Sequence, residues 1–309
     1  MGSAAKVANG KAVYMLSNQA SNSVIAVPIA EDGSLDEAGV SSINTGGSGA
    51  NGVDGSTNQP AVPDALFSQS ALAVAGNNLF AVNAGSNSVS MFAIDAGDPT
   101  KLTMVGTPAV KGDPTKNNTG FLASFPVNAA GQCQAASVDA EGAQTSPDGT
   151  AVLFGSSPIP GSSDLFVTDA SFGAAVLSPQ QAAGSSPQAP AAFEVAGKGA
   201  IDNQMATCWA AISPATNTAF VTDVGVNHLV EMSLDDASIQ EQVDLSANGD
   251  PGLIDLKAAG NMIYALSPGN GTTNAAVTVV DANSKMQVQH LDMKSLGLDG
   301  NAMGMAVLE

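Results

Sequence analysis

A repeated hairpin constrains the fold of this chain more than any other feature of its sequence. The segment from Val13 to Val27 returns in closely similar form from Leu79 to Phe92. In each copy a run of apolar and β-branched residues stops at Ser-Asn-Ser-Val, and a second run of alternating character follows. This is the pattern of two antiparallel strands joined by a tight turn. The repetition predicts an architecture of repeated, strand-built units.

Further strand patterns extend the hairpins into units of four strands. The clearest unit lies between Ser68 and Lys111, and weaker ones follow to residue 292. Four antiparallel strands per unit are typical of a propeller blade, and all-β repeat folds of 309 residues commonly form one domain. We therefore predict an all-β fold, a β-propeller with six or seven four-stranded blades, as a single domain over residues 1–309. The first unit lacks an inner strand and Asn301 to Leu308 resembles one, so we expect the C-terminal strand to pair with the first blade and close the ring.

Three segments depart from the four-strand pattern. Residues 46–67 and 178–192 are rich in Gly, Pro, Ser, Asn or Gln and are predicted to be exposed loops. Residues 111–140 supply the pattern of only part of a blade, and we expect an irregular or incomplete one. Gly47 to Gly52 matches a dinucleotide-binding GxGxxG formally, but prolines and no helical period follow it, which favours a flexible loop.

The charge balance excludes several classes of partner. The chain has 28 acidic residues and 9 basic ones, with a formal net charge of −19, and every basic residue is a lysine. Nucleic acid and anionic membranes would be repelled, because phosphate binding depends on clustered cations. No apolar run reaches the roughly 18 residues that span a membrane. The absence of Arg also removes the usual bidentate group for binding carboxylates and phosphates.

Two cysteines and two glycosylation sequons bear on the compartment. Cys133 and Cys208 lie far apart in sequence with no CxxC motif, so a disulfide between them is possible and a zinc site is unsupported. Asn117 and Asn270 each begin an Asn-x-Thr sequon. Together with the acidic, Asn- and Ser-rich composition, these features predict an extracellular, secreted glycoprotein. No secretion leader is visible, and we expect the opening Met1-Gly2-Ser3 to stand in place of one.

Several motifs together resemble a known family. They are the two Ser-Asn-Ser-Val hairpins, the Ser146-Pro147-Asp148-Gly149 turn, the run from Met205 to Ala211, and the run from Asn301 to Met305. We expect the Ser146–Gly149 turn to join the first and second strands of a blade. Over nearly its whole length the chain resembles the secreted fungal branch of the lactonase family, propellers with YVTN-like repeats described as 3-carboxymuconate cyclase-like. The resemblance implies a propeller fold and lactonizing cycloisomerase or sugar-lactonase activity, for which family enzymes use His, Glu and Arg side chains in the channel.

This chain departs from the family pattern at the residues that lactonase or cycloisomerase activity requires. It has no Arg, so the family's substrate clamp cannot be placed on any residue. Its only imidazoles, His228 and His290, lie on strands that we interpret as outward of the channel. We interpret both as surface or structural histidines.

Candidate ligand-binding residues are sought where loops lead into the inner strands, because propeller ligands usually bind at the channel mouth. This criterion selects Ser68, Gln69, Asp202, Asn203, Gln204, Asp250 and Asn301. Their side chains can hydrogen-bond a neutral ligand, and they are equally typical of solvated turns. No metal site and no cofactor are predicted, except that Asp250 and Asp255 flank one inner strand and could hold Ca²⁺ in the channel. Trp209, the sole tryptophan, is interpreted as core packing rather than as a sugar-stacking platform.

Three functions remain open at this point. The first is a secreted binding or interaction scaffold without the family's lactone chemistry, which the absent Arg and scarce His favour. The second is a lactonase or muconate cycloisomerase-like enzyme with a substituted channel site. The third is a surface antigen or carbohydrate-binding adhesin. A small neutral ligand or a carbohydrate is the expected partner, and the sequence does not indicate an oligomeric state.

Overall fold

The structure is a computed structural model that describes residues 10–54, 57–62, 64–66, 71–109, 122–124, 127–128, 137–138, 143–180 and 191–309. Strands dominate these residues, and the only helices are 3₁₀ turns of three residues each. In chain order the strands are β1 (Ala12–Leu16), β2 (Ser23–Pro28), β3 (Ser41–Asn44), β4 (Leu72–Ala75), β5 (Asn78–Asn83), β6 (Ser88–Ile94), β7 (Leu102–Gly106), β8 (Leu122–Ser124), β9 (Val127–Asn128), β10 (Ser137–Val138), β11 (Ala143–Thr145), β12 (Leu153–Pro158), β13 (Leu165–Asp169), β14 (Gly173–Gln180), β15 (Ala192–Ala200), β16 (Thr207–Ser213), β17 (Thr218–Asp223), β18 (His228–Met232), β19 (Ile239–Asp244), β20 (Asp255–Ala259), β21 (Met262–Ser267), β22 (Ala276–Asp281), β23 (Gln287–Asp292) and β24 (Met303–Leu308).

Twenty of these strands form five four-stranded antiparallel sheets. Sheet A has the order β24-β1-β2-β3, sheet B β4-β5-β6-β7, sheet C β12-β13-β14-β15, sheet D β16-β17-β18-β19 and sheet E β20-β21-β22-β23. We number the strands of each sheet from first to fourth in that order. Two short sheets, β8 with β11 and β9 with β10, lie between β7 and β12 in the chain. The all-β prediction and the four-strand unit are confirmed.

Both repeated hairpins form as their sequences predict. In sheet A, β1 and β2 pair from Ala12 with Pro28 to Leu16 with Val24. In sheet B, β5 and β6 pair from Asn78 with Ala93 to Asn83 with Ser88. The side chains of β6 alternate between buried and half-buried positions, as expected of a strand with one face in the core.

The sheets follow one another in a propeller-like arrangement. The first strands contact each other in the order β12, β16, β20, β24 and β4. The expected pairing of the C-terminal strand is also confirmed, since β24 pairs antiparallel with β1 from Ala12 with Leu308 to Leu16 with Met303. The fourth strands of sheets D and E lie outermost and are largely exposed, whereas the strands before them are buried. Apolar side chains fill the spaces between neighbouring sheets.

An aromatic side chain on the second strand contacts the next sheet at three successive interfaces. The hydroxyl of Tyr264 in sheet E donates to the Gly33 carbonyl oxygen, in the turn between β2 and β3, at 2.9 Å. The hydroxyl of Tyr14 in sheet A donates to the Pro99 carbonyl oxygen, between β6 and β7, at 2.7 Å. Phe220 in sheet D has the Lys285 ammonium, in the turn between β22 and β23, at 5.2 Å from its ring centroid. The second-strand aromatic thus links each of these sheets to the third-to-fourth-strand turn of its neighbour.

Two sequence-based expectations are corrected. The Ser146-Pro147-Asp148-Gly149 turn was expected between the first and second strands of a blade, but it precedes β12, which is itself the first strand of sheet C. The reason is that β11, just before the turn, pairs with β8 rather than with sheet C. The 46–67 segment, expected to be an exposed loop, is exposed around residues 57–60, whereas Ala61, Asp64 and Ala65 are buried. Apolar contacts hold this end of the loop, because Ala65 belongs to the core that contains Trp209.

The other two irregular segments fall largely outside the described residues. Of residues 111–140, the structure describes only β8, β9 and β10, and of residues 178–192 it omits 181–190. Among the described residues, no helix has the length and apolar character needed to cross a membrane.

Candidate functional site

The carboxylates that end the second strands of sheets C and D hold backbone groups. Asp223 Oδ2 accepts hydrogen bonds from the backbone N–H groups of Met205 and Ala206 at 2.8 and 2.9 Å, and its Oδ1 accepts from Gly225 N–H at 2.8 Å. Asp169 accepts in the same way from Ala151 and Val152 at 2.7 and 3.1 Å. Both carboxylates fix the segment that leads into the first strand of their own sheet. The sequence signal is the Phe-Val-Thr-Asp motif, present at 166–169 and 220–223, which our sequence reasoning did not use.

Gln204, a predicted mouth residue, bridges sheets C and D. Its Oε1 accepts from Thr207 N–H at 2.8 Å and from the Thr207 hydroxyl at 3.0 Å, while its Nε2 donates to the Ala170 carbonyl oxygen at 3.0 Å. The neighbouring Asp202 and Asn203 are exposed in a turn, and Asn203 adopts a left-handed φ of 61°. Asn tolerates this conformation better than most residues, so the turn itself explains why Asn stands there.

Asn301, another predicted mouth residue, anchors the 46–67 loop. Its Oδ1 accepts from Asn51 Nδ2 at 2.7 Å. Oδ1 of Asn51 lies 3.4 Å from Nδ2 of Asn18. The same Nδ2 donates to the Ala50 carbonyl oxygen at 3.1 Å. The three amides therefore connect the loop to the segment before β24 and to the hairpin turn of sheet A.

Asp250 pairs with a histidine of the fourth strand of sheet E. Its Oδ2 lies 3.0 Å from Nε2 of His290 on β23. Burial raises the pKa of the Asp250 carboxyl, and the hydrogen bond and charge of His290 offset this only in part. Neither histidine lies on a first strand: His290 lies on β23, the fourth strand of sheet E, and His228 begins β18, the third strand of sheet D, where burial lowers its pKa against the opposing effect of Asp223 and Asp244.

The predicted mouth residues hydrogen-bond different parts of the chain. Among the described residues, Gln204 lies between sheets C and D, Asp250 contacts the outermost strand of sheet E, and Asn301 contacts the 46–67 loop. Ser68 and Gln69 lie outside the described residues. The residues selected in the loops before first strands therefore form hydrogen bonds that connect one sheet or loop to another.

An ion pair lies on the first strand of sheet E. Asp255 Oδ1 is 3.3 Å from the Lys257 ammonium, and Asp255 Oδ2 accepts from Met305 N–H on β24 at 2.7 Å. Burial raises the pKa of the Asp255 carboxyl, against the opposing effects of Lys257 and of backbone hydrogen bonds. Asp255 therefore connects the first strands of sheets E and A. No group of three His, Cys, Asp or Glu side chains placed to hold a metal occurs in the described part of the chain, and the Ca²⁺ site stays a prediction.

Trp209 and Cys208 lie in the core of sheet D. Trp209 is fully buried and packs edge-on against Phe154 of sheet C with ring centroids 5.3 Å apart, which confirms the core-packing interpretation. The Cys208 side chain is buried, and burial raises the pKa of its thiol with smaller contributions from the Asp64 and Asp223 carboxylates. Cys133 lies outside the described residues, so its pairing with Cys208 stays a prediction.

A surface cleft between sheets D and E was not anticipated from the sequence. Its volume is about 260 Å³, and it is lined by Val243, Asp244, Leu245, Ala247, Asn248, Lys285 and Gln287. The first five come from the end of β19 and the turn after it, and the last two from the start of β23 and the turn before it. Residues so far apart in sequence give no local signal, which is why the cleft was missed.

The Asn248 side chain is held firmly in the cleft wall. Its Nδ2 donates to Gln287 Oε1 at 3.0 Å and to the Thr278 hydroxyl at 3.2 Å, and its Oδ1 accepts from Asn227 Nδ2 at 2.7 Å. Lys285 is fixed by Glu231, whose Oε1 lies 2.9 Å from its ammonium. The polar groups of the cleft are therefore pre-organised by the fold.

Comparison with known proteins finds similarities among solved structures. No protein-family model matches it, and no curated protein matches it. Among solved structures it is similar to AztD from Citrobacter koseri, with 12% identity, 98% of this chain and 99% of that one covered, and a TM-score of 0.49. It is also similar to a candidate 6-phosphogluconolactonase from Bacteroides uniformis, with 13% identity, 90% and 67% covered, and a TM-score of 0.34. At these values the similarities say nothing about ligand or activity.

Proposed function

We propose that this chain is a propeller-type scaffold that binds a ligand or partner, and that it lacks the lactone chemistry of the family it resembles. One observation carries the proposal: Gln204, Asp250 and Asn301, selected as ligand-binding groups, make side-chain hydrogen bonds within the chain. Asp169 and Asp223 are likewise engaged by backbone N–H groups. General acid–base catalysis requires a group that exchanges a proton with the substrate, and these groups instead stabilise loops.

A lactonase or cycloisomerase is the second candidate because of Lys257. Its ammonium is partly exposed, with 21% of the side-chain surface accessible, on a first strand beside the buried Asp255. An ammonium in that position can attract the carboxylate of a lactone substrate even where Arg is absent. This candidate requires turnover, which the scaffold proposal does not.

A rate measurement separates the two candidates. The purified chain is incubated with muconolactone and with gluconolactone, and ring opening is followed against buffer alone. The scaffold proposal expects the buffer rate for the wild type and for Lys257→Met. A faster wild-type rate that the substitution abolishes would establish the enzyme instead.

We further propose that the sheets belong to a closed propeller of six or seven blades. The pairing of β24 with β1 and the contacts between successive first strands support this. The four short strands β8 to β11, between sheets B and C in the chain, would supply the remaining blade or blades. An experimental structure that shows an open arrangement would contradict it.

We propose that the protein is secreted, as in the fungal branch of the lactonase family that its motifs resemble. Asn270 is exposed, and its Oδ1 accepts from the backbone N–H groups of Thr272 and Thr273 at 3.0 Å, so the sequon lies in a surface turn. Asn117 lies outside the described residues. Expression through a eukaryotic secretory pathway should yield glycan at Asn270 that the Asn270→Gln variant loses, and an unmodified secreted product would contradict the glycoprotein proposal.

A further inference from the structure

We propose that the cleft between sheets D and E is a binding site for a single neutral sugar residue. The inference rests on the proposed binding role of the chain and gives that role a location and a ligand class. Seven residues from two neighbouring sheets form the cleft. Its position between the outer strands leaves it open to solvent, as the exposed Asp244 and Gln287 show.

The size of the cleft limits the ligand to a small molecule. Its volume of about 260 Å³ is below the roughly 300–1,000 Å³ of pockets that hold drug-sized ligands. A monosaccharide, or one residue of a longer glycan with its neighbours in solvent, is of the right order. An extended peptide or a nucleotide is too large.

The lining of the cleft suits a ligand with one apolar face and many hydroxyl groups. Val243 and Leu245 are buried and give the cleft an apolar base, against which the C–H groups of a sugar ring can pack. Asp244 is a carboxylate whose Oδ1 accepts from Ser246 N–H at 2.8 Å, and the Ser246 side chain also hydrogen-bonds it. An ionised carboxylate has about four lone-pair sites, so it can still accept from a ligand hydroxyl. Gln287 uses its Oε1 to accept from Asn248, which leaves its Nε2 to donate to a ligand oxygen.

The charges in and around the cleft favour a neutral ligand. The Lys285 ammonium is neutralised by Glu231 at 2.9 Å, and both side chains are largely buried. Asp244 then remains as the charge nearest to solvent, and it repels anions together with the net charge of −19. A metal ion would need several oxygen ligands around it, whereas Asn248 is fully used in hydrogen bonds to Asn227, Thr278 and Gln287.

Asn227 lies behind the cleft, where hydrogen bonds hold its side chain in place. Asn227 donates to the Leu245 carbonyl oxygen at 2.9 Å and to Asn248 Oδ1 at 2.7 Å, so its amide orientation is fixed because both partners are acceptors. Its Oδ1 is buried without a hydrogen-bond partner in the described structure. A polar wall that is already ordered costs little further entropy when a ligand binds.

The test is an NMR titration of the full chain labelled with ¹⁵N. The probes are the methyl glycosides of glucose, galactose, mannose and N-acetylglucosamine, with sodium acetate, sodium sulfate and calcium chloride as charged comparisons. We expect at least one glycoside to shift the side-chain amide signals of Asn248 and Gln287. We expect about tenfold weaker binding for Gln287→Ala and for Asp244→Asn, the factor for one lost hydrogen bond in such a site. Both substituted residues are exposed, so the variants should fold.

A matched control is Gln240→Ala, which removes an exposed glutamine of β19 that does not line the cleft. It should bind the glycoside as the wild type does. The proposal is overturned if no glycoside shifts these signals, if only acetate, sulfate or Ca²⁺ does so, or if the cleft variants bind as tightly as the control. Lactone turnover would contradict the scaffold proposal separately, so the two failures are distinguishable.

Discussion

Nδ2 of Asn22 donates a hydrogen bond to Oδ1 of Asn83 at 3.0 Å, and so joins the hairpin of sheet A to the hairpin of sheet B. Both side chains are fully buried. Asn83 Oδ1 also accepts from the Thr45 hydroxyl at 2.6 Å, and its Nδ2 donates to the hydroxyls of Ser88 and Ser90 at 3.2 and 2.8 Å. A buried polar network of this kind is stabilising only when all its members are satisfied.

Asn83→Ala should therefore destabilise the protein strongly. The substitution leaves one N–H of the buried Asn22 amide with an unmet hydrogen bond, and the Thr45 hydroxyl keeps only the Asn22 carbonyl oxygen, at 3.1 Å, as its acceptor. We expect the free energy of unfolding to fall by about 2–3 kcal/mol, measured by urea denaturation. Asn77→Ala, in an exposed turn of the same sheet, should change it by less than about 0.5 kcal/mol. Equal effects of the two substitutions would show that the network does not stabilise the fold.

The buried carboxyl of Asp255 should make stability depend on pH. Its raised pKa means that the folded chain holds this proton more tightly than the unfolded chain. The contribution of Asp255 to the free energy of unfolding is therefore fully present below about pH 3.9, the pKa of Asp in the unfolded chain. It is lost as the pH rises through the higher pKa of Asp255 in the folded chain.

Asp255→Asn removes this loss. The difference in melting temperature between the variant and the wild type should therefore shift in favour of the variant as the pH rises from the unfolded to the folded pKa of Asp255. Lys257→Met should extend the loss to higher pH, because the ammonium that favours the carboxylate is absent and the folded pKa rises further. Thermal melts at a series of pH values provide the measurement. Parallel curves for all three proteins would refute the prediction.

The Lys285–Glu231 pair should show strong coupling in a double-mutant cycle. The exposed fractions of the two side chains are 13% and 8%, so neither charge is well hydrated after its partner is removed. We expect Glu231→Gln to cost about 3 kcal/mol, and the addition of Lys285→Met to restore part of that loss. Lys101→Met, at an exposed position, serves as the control. If the effects of Glu231→Gln and Lys285→Met on the free energy of unfolding are additive, the two side chains are not coupled.

The Cys208 thiol should be unreactive in the native protein. It is buried and its pKa is raised, and the thiolate is the species that reacts with iodoacetamide. Mass spectrometry should find no label at Cys208 before unfolding. Unfolding without reductant will label Cys208 if it is a free thiol, whereas a disulfide with Cys133 would require reduction first. Rapid labelling of the native protein would contradict the buried position.

The strands of this protein were largely predictable because their signals are local. The repeated hairpins, the four-strand units and the C-terminal strand that pairs with β1 all follow from runs of alternating or apolar residues between turn residues. The same reasoning treated Asn22 and Asn87 as equivalent, since each stands in Ser-Asn-Ser-Val. In the structure Asn22 is buried and bonded to Asn83, whereas Asn87 is exposed with a left-handed φ of 48°.

The polar residues could be located by sequence, but their roles could not. Gln204 and Asn301 were correctly placed before first strands, yet they hydrogen-bond Ala170 and Asn51, residues that only the packing of other segments brings near. Likewise, Asp244 and Gln287 meet across a cleft because sheets D and E lie side by side.

The sequence alone determined the all-β class, the four-strand unit and the strong negative charge, because strand periodicity, turn chemistry and charge are properties of neighbouring residues. The tertiary structure decided which polar groups are used within the chain and which lie in a surface cleft. Hydrogen bonds and clefts form between residues that are distant in sequence, and their partners are set by how one sheet packs on the next.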